Sequence, residues 1–125
     1  MTNGVFPSRI YHIALSKEWN RALLDGSYRT GSLENEGFIH FSTGKQLLRT
    51  ANKYFAGNRE VVLLVIDPGL LASELRYEPI EDGQLFPHLY GELNLDAVNK
   101  VLPLKPQSDG GFVWPESLEK NEDEL

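Results

Sequence analysis

One segment, Val61-Val-Leu-Leu-Val-Ile66, decides most of what this chain can fold into. It is a continuous apolar run held between the charged residues Glu60 and Asp67. No polar residue alternates through it, so neither face is suited to water. That is the pattern of a central strand covered on both sides. Pro68 ends it, because proline brings no N–H to a ladder. A chain built around such a strand needs further layers on both faces, and the remaining segments must supply them.

Arg9 to Leu15 alternates and is rich in β-formers, which predicts a strand. Its two faces are Ile10, His12, Ala14 and Tyr11, Ile13, Leu15. Ser16 reads as the N-cap of a helix over Lys17–Asp25, closed by Gly26. Tyr28 to Glu36 shows no periodicity and reads as a polar connection. Phe38 to Ser42 predicts a second strand, with Phe38, His40 and Ser42 on one face. Thr43-Gly-Lys-Gln46 matches a capping box and predicts a helix to about Phe55. Leu70 to Leu75 suggests a helical turn. Arg76–Ile80 and Gln84–Tyr90 read as a hairpin around Glu81-Asp-Gly83, and Pro79 and Pro87 argue for edges or irregular backbone. Leu93 to Val98 suggests another turn, and Val98 to Leu104 a last strand. This order predicts one α+β domain over residues 9–105, with a small mixed, split β-sheet and two main helices. Residues 1–8 form an N-terminal extension. Residues 106–125 read as an acidic, disordered tail.

Charge supports that division. The net charge is -6, and the last ten residues hold five acids against Lys120. The acidity therefore belongs mainly to the tail. Without a basic excess, extended nucleic-acid binding is not expected, although a nucleotide pocket is compatible. There is no cysteine, so thiolate chemistry and disulfides are excluded. No apolar run approaches the roughly 20 residues of a membrane span, and the N-terminus does not read as a signal peptide. The expectation is a cytoplasmic protein with no membrane partner. Oligomeric state is not readable.

The candidate chemistry lies in three histidines, each inside an apolar or aromatic segment: His12, His40 and His88. A buried imidazole needs partners for both ring nitrogens. One such residue is ordinarily a satisfied core histidine; three in strand-like segments point to a shared pocket. His40 and Ser42 lead directly into the predicted helix N-terminus at Thr43, where N–H groups suit an anion. Arg76 and Glu78 share a strand face, which by base rate is a surface ion pair. Glu78 is also placed to act as a base or to stabilise positive charge. His88 and Tyr90 share a face if the strand is regular. A three-histidine zinc site would need ligands from three elements, with no close histidine pair to anchor it, and no metal-ligating residue is assigned. Ser42 lacks the Gly-x-Ser-x-Gly setting of a hydrolase nucleophile.

Together, Ile10-Tyr-His-Ile13, Gly37-Phe-Ile-His-Phe-Ser-Thr43, Ile66-Asp-Pro68, Leu75-Arg-Tyr-Glu-Pro79 and Phe86-Pro-His-Leu-Tyr-Gly91 resemble the domain-of-unknown-function 952 family across residues 9–104. The resemblance implies an ADP-ribosyltransferase-like fold related to proteins that bind NAD. It implies His12 at the ribose, and His40, Ser42 and Thr43 along the pocket; Arg76 and Tyr90 are further ligand-binding candidates. Glu78 or His88 would take the late-strand catalytic place. The chain departs from that superfamily in having Ile13-Ala14 where Gly-Thr often follows the first histidine.

Three function classes follow. The first is an NAD- or nucleotide-binding protein, as transferase or glycohydrolase, with the nucleotide as substrate and no fixed cofactor. The second is a non-catalytic module for a small ligand or peptide. The third is a histidine-bound metal enzyme.

Overall fold

A computed structural model describes residues 7–120. In chain order the elements are β1 (Ile10–Leu15), α1 (Ser16–Asp25), β2 (Ser27–Tyr28), α2 (Gly31–Glu36), β3 (Ile39–His40) and α3 (Gly44–Tyr54). They continue as β4 (Val61–Ile66), β5 (Glu74–Pro79), β6 (Leu85–Tyr90), β7 (Leu93–Asn94) and β8 (Val98–Pro103).

The apolar run is β4, the middle strand of the sheet β1-β4-β8. Its two faces feed two separate cores. Leu64 and Ile66 pack with Ile10, Ala14, Trp19, Ile39 and Leu89. Val61, Leu63 and Val65 pack with Tyr11, Leu47, Ala51, Phe112 and Leu118. Each fully buried aliphatic side chain here contributes about 1.5–3 kcal/mol, so this strand anchors both layers.

A second sheet has the order β3-β6-β5, and β2 pairs with β7 alone. Residues 39–42 connect the two larger sheets. Ile39 and His40 pair with β6, and two residues later Ser42 exchanges both backbone hydrogen bonds with Tyr11 of β1, at 2.8 Å each. This crossing is the split in the sheet. All pairings between the named strands are antiparallel, which corrects the expected mixed sheet.

Local expectations fail in instructive places. The segment read as a polar connection holds β2 and α2. Thr30 Oγ1 accepts from Leu33 N–H at 3.3 Å, and Gly37 closes α2 at φ 91°. Replacing Thr30 by Ala costs about 1 kcal/mol of stability, measurable as a shifted urea midpoint. α1 begins at Ser16 itself, with Leu15 at the cap position and no side-chain cap bond. The turn expected at residues 70–75 lies earlier, at Pro68–Leu70, and β5 has already started by Glu74. Pro87 sits in the middle strand, not on an edge. It is tolerated because its carbonyl accepts from Phe41 N–H at 2.9 Å and its own backbone edge faces the short β3, so one ladder bond is forgone.

The expected disordered tail is corrected most strongly. Phe112 and Leu118 are buried, and Trp114 packs edge-on against Tyr11 at 5.7 Å. Phe112 N–H donates to Asn52 Oδ1 at 2.7 Å, and Trp114 Nε1–H to the Leu118 carbonyl at 2.6 Å. The packed chain therefore runs past residue 105, to Leu118 at least. Residues 1–6 of the predicted extension and 121–125 of the predicted tail lie outside the described residues. Among the described residues no helix is long and apolar enough to cross a membrane.

Candidate functional site

A cavity of about 510 Å³ opens where β1 and the 39–42 segment separate from each other, beneath α3 and the β5–β6 hairpin tip. His12, Tyr28 and Phe41 form its inner end; Ser42 and Thr50 line one side; Arg49, Lys53 and Asp82 stand at the helical and hairpin side. α3 supplies Arg49, Thr50 and Lys53 because Leu47 and Ala51 turn its other face into the core.

His12 is a satisfied residue. Its Nδ1 lies 2.6 Å from the His40 carbonyl, which can only accept, so Nδ1 carries the proton. Nε2 is then the acceptor of the Tyr28 hydroxyl at 2.8 Å. Burial pushes its pKa down to about 4, against which the His40 carbonyl bond works in the opposite sense. The imidazole is neutral at neutral pH. Burial also raises the Tyr28 phenol above its ordinary value. Both ring nitrogens of His12 are engaged, so it offers the cavity a neutral aromatic surface, with no donor left for a ribose hydroxyl. Ser42 O–H donates to Thr50 Oγ1 at 3.1 Å, which leaves the Thr50 hydroxyl proton for another acceptor.

Glu78, His88, Arg76 and Tyr90 do not line this cavity. They occupy the outer face of β3-β6-β5, where alternation places Phe38, His40, His88, Tyr90, Arg76 and Glu78 together. His88 Nδ1–H donates to Glu78 Oε1 at 2.8 Å, and Tyr90 O–H donates to the same oxygen at 2.6 Å. The Tyr90 bond, then the His88 bond, hold the Glu78 carboxyl below its usual range; the same contact raises the Tyr90 phenol. Phe38 stacks on His88 with ring centres 4.1 Å apart. Arg76 pairs with Glu74 at 3.0 Å instead of Glu78, and its guanidinium lies 4.3 Å from the Tyr90 ring centre. Thr43 does not line the cavity either; its N–H donates to Gln46 Oε1 at 3.0 Å, the predicted helix start.

His40 belongs to both places. It lines the cavity, and its ring meets the His88 ring edge-on at 5.2 Å. Of the eight residues singled out from sequence, His12, His40 and Ser42 line the cavity; the three imidazoles do not share one hollow. Sequence reasoning missed Tyr28, Arg49, Thr50 and Lys53. Tyr28 was hidden in the supposed connection. Arg49 and Lys53 carried a readable signal, one helical turn apart on the face opposite Leu47 and Ala51. Among the described residues no group of three or more His, Cys, Asp or Glu is arranged to hold a metal.

Comparison with known proteins agrees with this fold. A crystal structure of protein CC0527 from Caulobacter crescentus is similar at 34% identity and a TM-score of 0.78, covering 84% of this chain and 93% of that one. A double-mutant crystal structure of the same protein matches at 33% identity, with the same coverage and TM-score. Its solution NMR structure matches at 34% identity and a TM-score of 0.74, covering 84% of this chain and 91% of that one. None of the curated proteins matches the sequence. The model of the family described as "Protein of unknown function (DUF952)" matches residues 13–101. The chain belongs to this family.

Proposed function

We propose that this protein binds a small nucleotide-type ligand in the cavity between β1 and β3, as a binding protein first and a catalyst only if the ligand brings its own reactivity. The observation that carries this reading is the pairing of an apolar, aromatic inner end with Arg49 and Lys53, beside Asp82, on one side. A volume of about 510 Å³ falls in the range of small-molecule sites. A planar base would lie against His12, Phe41 and Phe86, all of which face the cavity. Its phosphates would reach Arg49 and Lys53 on α3. NAD and ADP-ribose are the first compounds to test, since His12 and Ser42, the residues that the family resemblance assigns to a nucleotide, both line the cavity. A glycosidic reaction gains less support. Glu78 is held by His88 and Tyr90 outside the cavity, and Asp82, which does line it, is paired with Arg49 at 2.8 Å.

Isothermal titration with ADP, ADP-ribose and NAD tests the reading. We expect saturable binding. Thr50→Trp, which fills the cavity from α3, should weaken it at least about tenfold, the equivalent of 1.4 kcal/mol. The melting temperature of that variant should stay within a few degrees of wild type, because Thr50 is only half-buried. Lys53→Ala should weaken phosphorylated ligands more than the corresponding nucleoside. Absence of binding at millimolar ligand, or equal affinity in Thr50→Trp, contradicts the proposal. Nicotinamide release from bound NAD would restore the catalytic reading.

A further inference from the structure

We infer that His40 and His88 form a divalent transition-metal site, for Zn²⁺ or a similar borderline ion, on the outer face of β3-β6-β5. Four features of the structure meet there.

The first is register. His40 and His88 are direct cross-strand partners. Phe41 N–H bonds the Pro87 carbonyl, so the neighbouring pair is hydrogen-bonded and His40/His88 is the non-hydrogen-bonded kind. In such pairs the side chains stand closest together.

The second is how each imidazole is held. Glu36 Oε1 sits 2.8 Å from His40 Nε2, and Glu78 Oε1 sits 2.8 Å from His88 Nδ1. One nitrogen of each ring is thus turned to a carboxylate. This is the support that metal-bound histidines receive, since it fixes the tautomer and strengthens the opposite nitrogen as a ligand. The carboxylates here orient the rings and are not themselves ligands.

The third is the nitrogen left over. His88 Nε2 is buried and has no hydrogen-bond partner among the described residues. The side chain is 3% exposed. An unsatisfied buried acceptor costs about 1–3 kcal/mol, so its persistence calls for something that engages it. Nδ1 is turned to Glu78 on β5, and His40 stands on the other neighbouring strand, β3. Phe38 covers the ring face. Among the described residues the His40 ring is hydrogen-bonded only at Nε2, and its side chain is 47% exposed, which leaves Nδ1 as the nitrogen for the ion.

The fourth is distance. Two imidazoles on one tetrahedral zinc, with Zn–N of about 2.0–2.1 Å, place their ring centres roughly 5 Å apart. The observed separation is 5.2 Å. The spacing is compatible with a shared ion, although edge-on aromatic pairs such as His12–Tyr28, at 5.2 Å, have it as well.

His12 takes no part, because both of its nitrogens are engaged. Two protein nitrogens leave the remaining coordination positions to water or to a bound anion. Since His40 also lines the cavity, those open positions lie at its edge.

The test is titration of the untagged full-length chain with Zn²⁺ by calorimetry and with Co²⁺ by visible absorption. We expect one ion per chain and the intense absorption of a four- or five-coordinate Co²⁺. His40→Ala should weaken binding at least about tenfold, and Glu36→Gln should weaken it less, as an orienting residue. His40 is exposed, so its variant is expected to fold even where His88→Gln does not. In wild type, the ring-nitrogen NMR signals of His40 and His88 should shift on Zn²⁺ addition and those of His12 should not. No binding near 1 mM Zn²⁺, or equal affinity in His40→Ala, overturns the inference. Neither outcome depends on whether a nucleotide occupies the cavity.

Discussion

Lowering the pH from 6.5 to about 4 is expected to remove about 3 kcal/mol of folding stability through His12 alone. The unfolded chain takes up its imidazole proton at the ordinary value of 6.5, whereas the folded chain resists protonation until about 4. Between those values the unfolded state binds more protons, so stability is fully present above 6.5 and falls as the pH drops. The cause is desolvation: His12 is buried, and a protonated Nε2 could no longer accept from the Tyr28 hydroxyl. Urea midpoints at several pH values, compared with His12→Gln, isolate this contribution. The variant should be less stable at pH 8, by about 1–3 kcal/mol for the hydrogen bonds left unmade, and should show a flatter decline toward acid. Parallel curves would show that His12 titrates normally in the folded state.

Removing residues 106–125 is expected to destabilise the domain by roughly 5 kcal/mol. Phe112 and Leu118 are buried against Tyr11, Leu47 and Leu63. Two side chains of this kind contribute about 3–6 kcal/mol together, and the edge-on Trp114–Tyr11 contact adds about 0.5–1.5 kcal/mol. The truncation also frees Asn52, which otherwise holds Phe112 through its side-chain amide. Denaturant unfolding of the truncated chain reads this directly. An unchanged midpoint would mean that the segment rests on the surface without supporting it.

These two effects mark where sequence and structure part. The central strand was legible because six apolar residues in a row leave no polar face, and β4 is covered on both sides. β1 was legible because alternation assigns faces: Ile10 and Ala14 enter one core, Tyr11 and Ile13 the other. The hairpin was legible from Glu81-Asp-Gly83, where Asp82 adopts φ 61°. α2 was not, because only Leu33 of its residues packs against the core, too little to leave a hydrophobic period. In the tail, acidic composition masked two well-spaced apolar anchors, Phe112 and Leu118. The pocket was legible only in part. Period two shows which residues share a face of one strand, but not which faces of different sheets meet. His40 and His88 share a face and touch, whereas His12 looks toward Tyr28, which β2 brings in by pairing with β7. The partner that silences His12 lies 16 residues away in a stretch with no pattern of its own.

Amide-shift mapping by NMR tests most directly that the cavity is a ligand site. On titration with ADP-ribose, we predict saturable shifts centred on His12, Phe41, Ser42 and Thr50, with Arg49 and Lys53 following only for phosphorylated ligands. Shifts confined to Arg76, Glu78 and Tyr90 on the outer sheet face, or none at millimolar ligand, would contradict it.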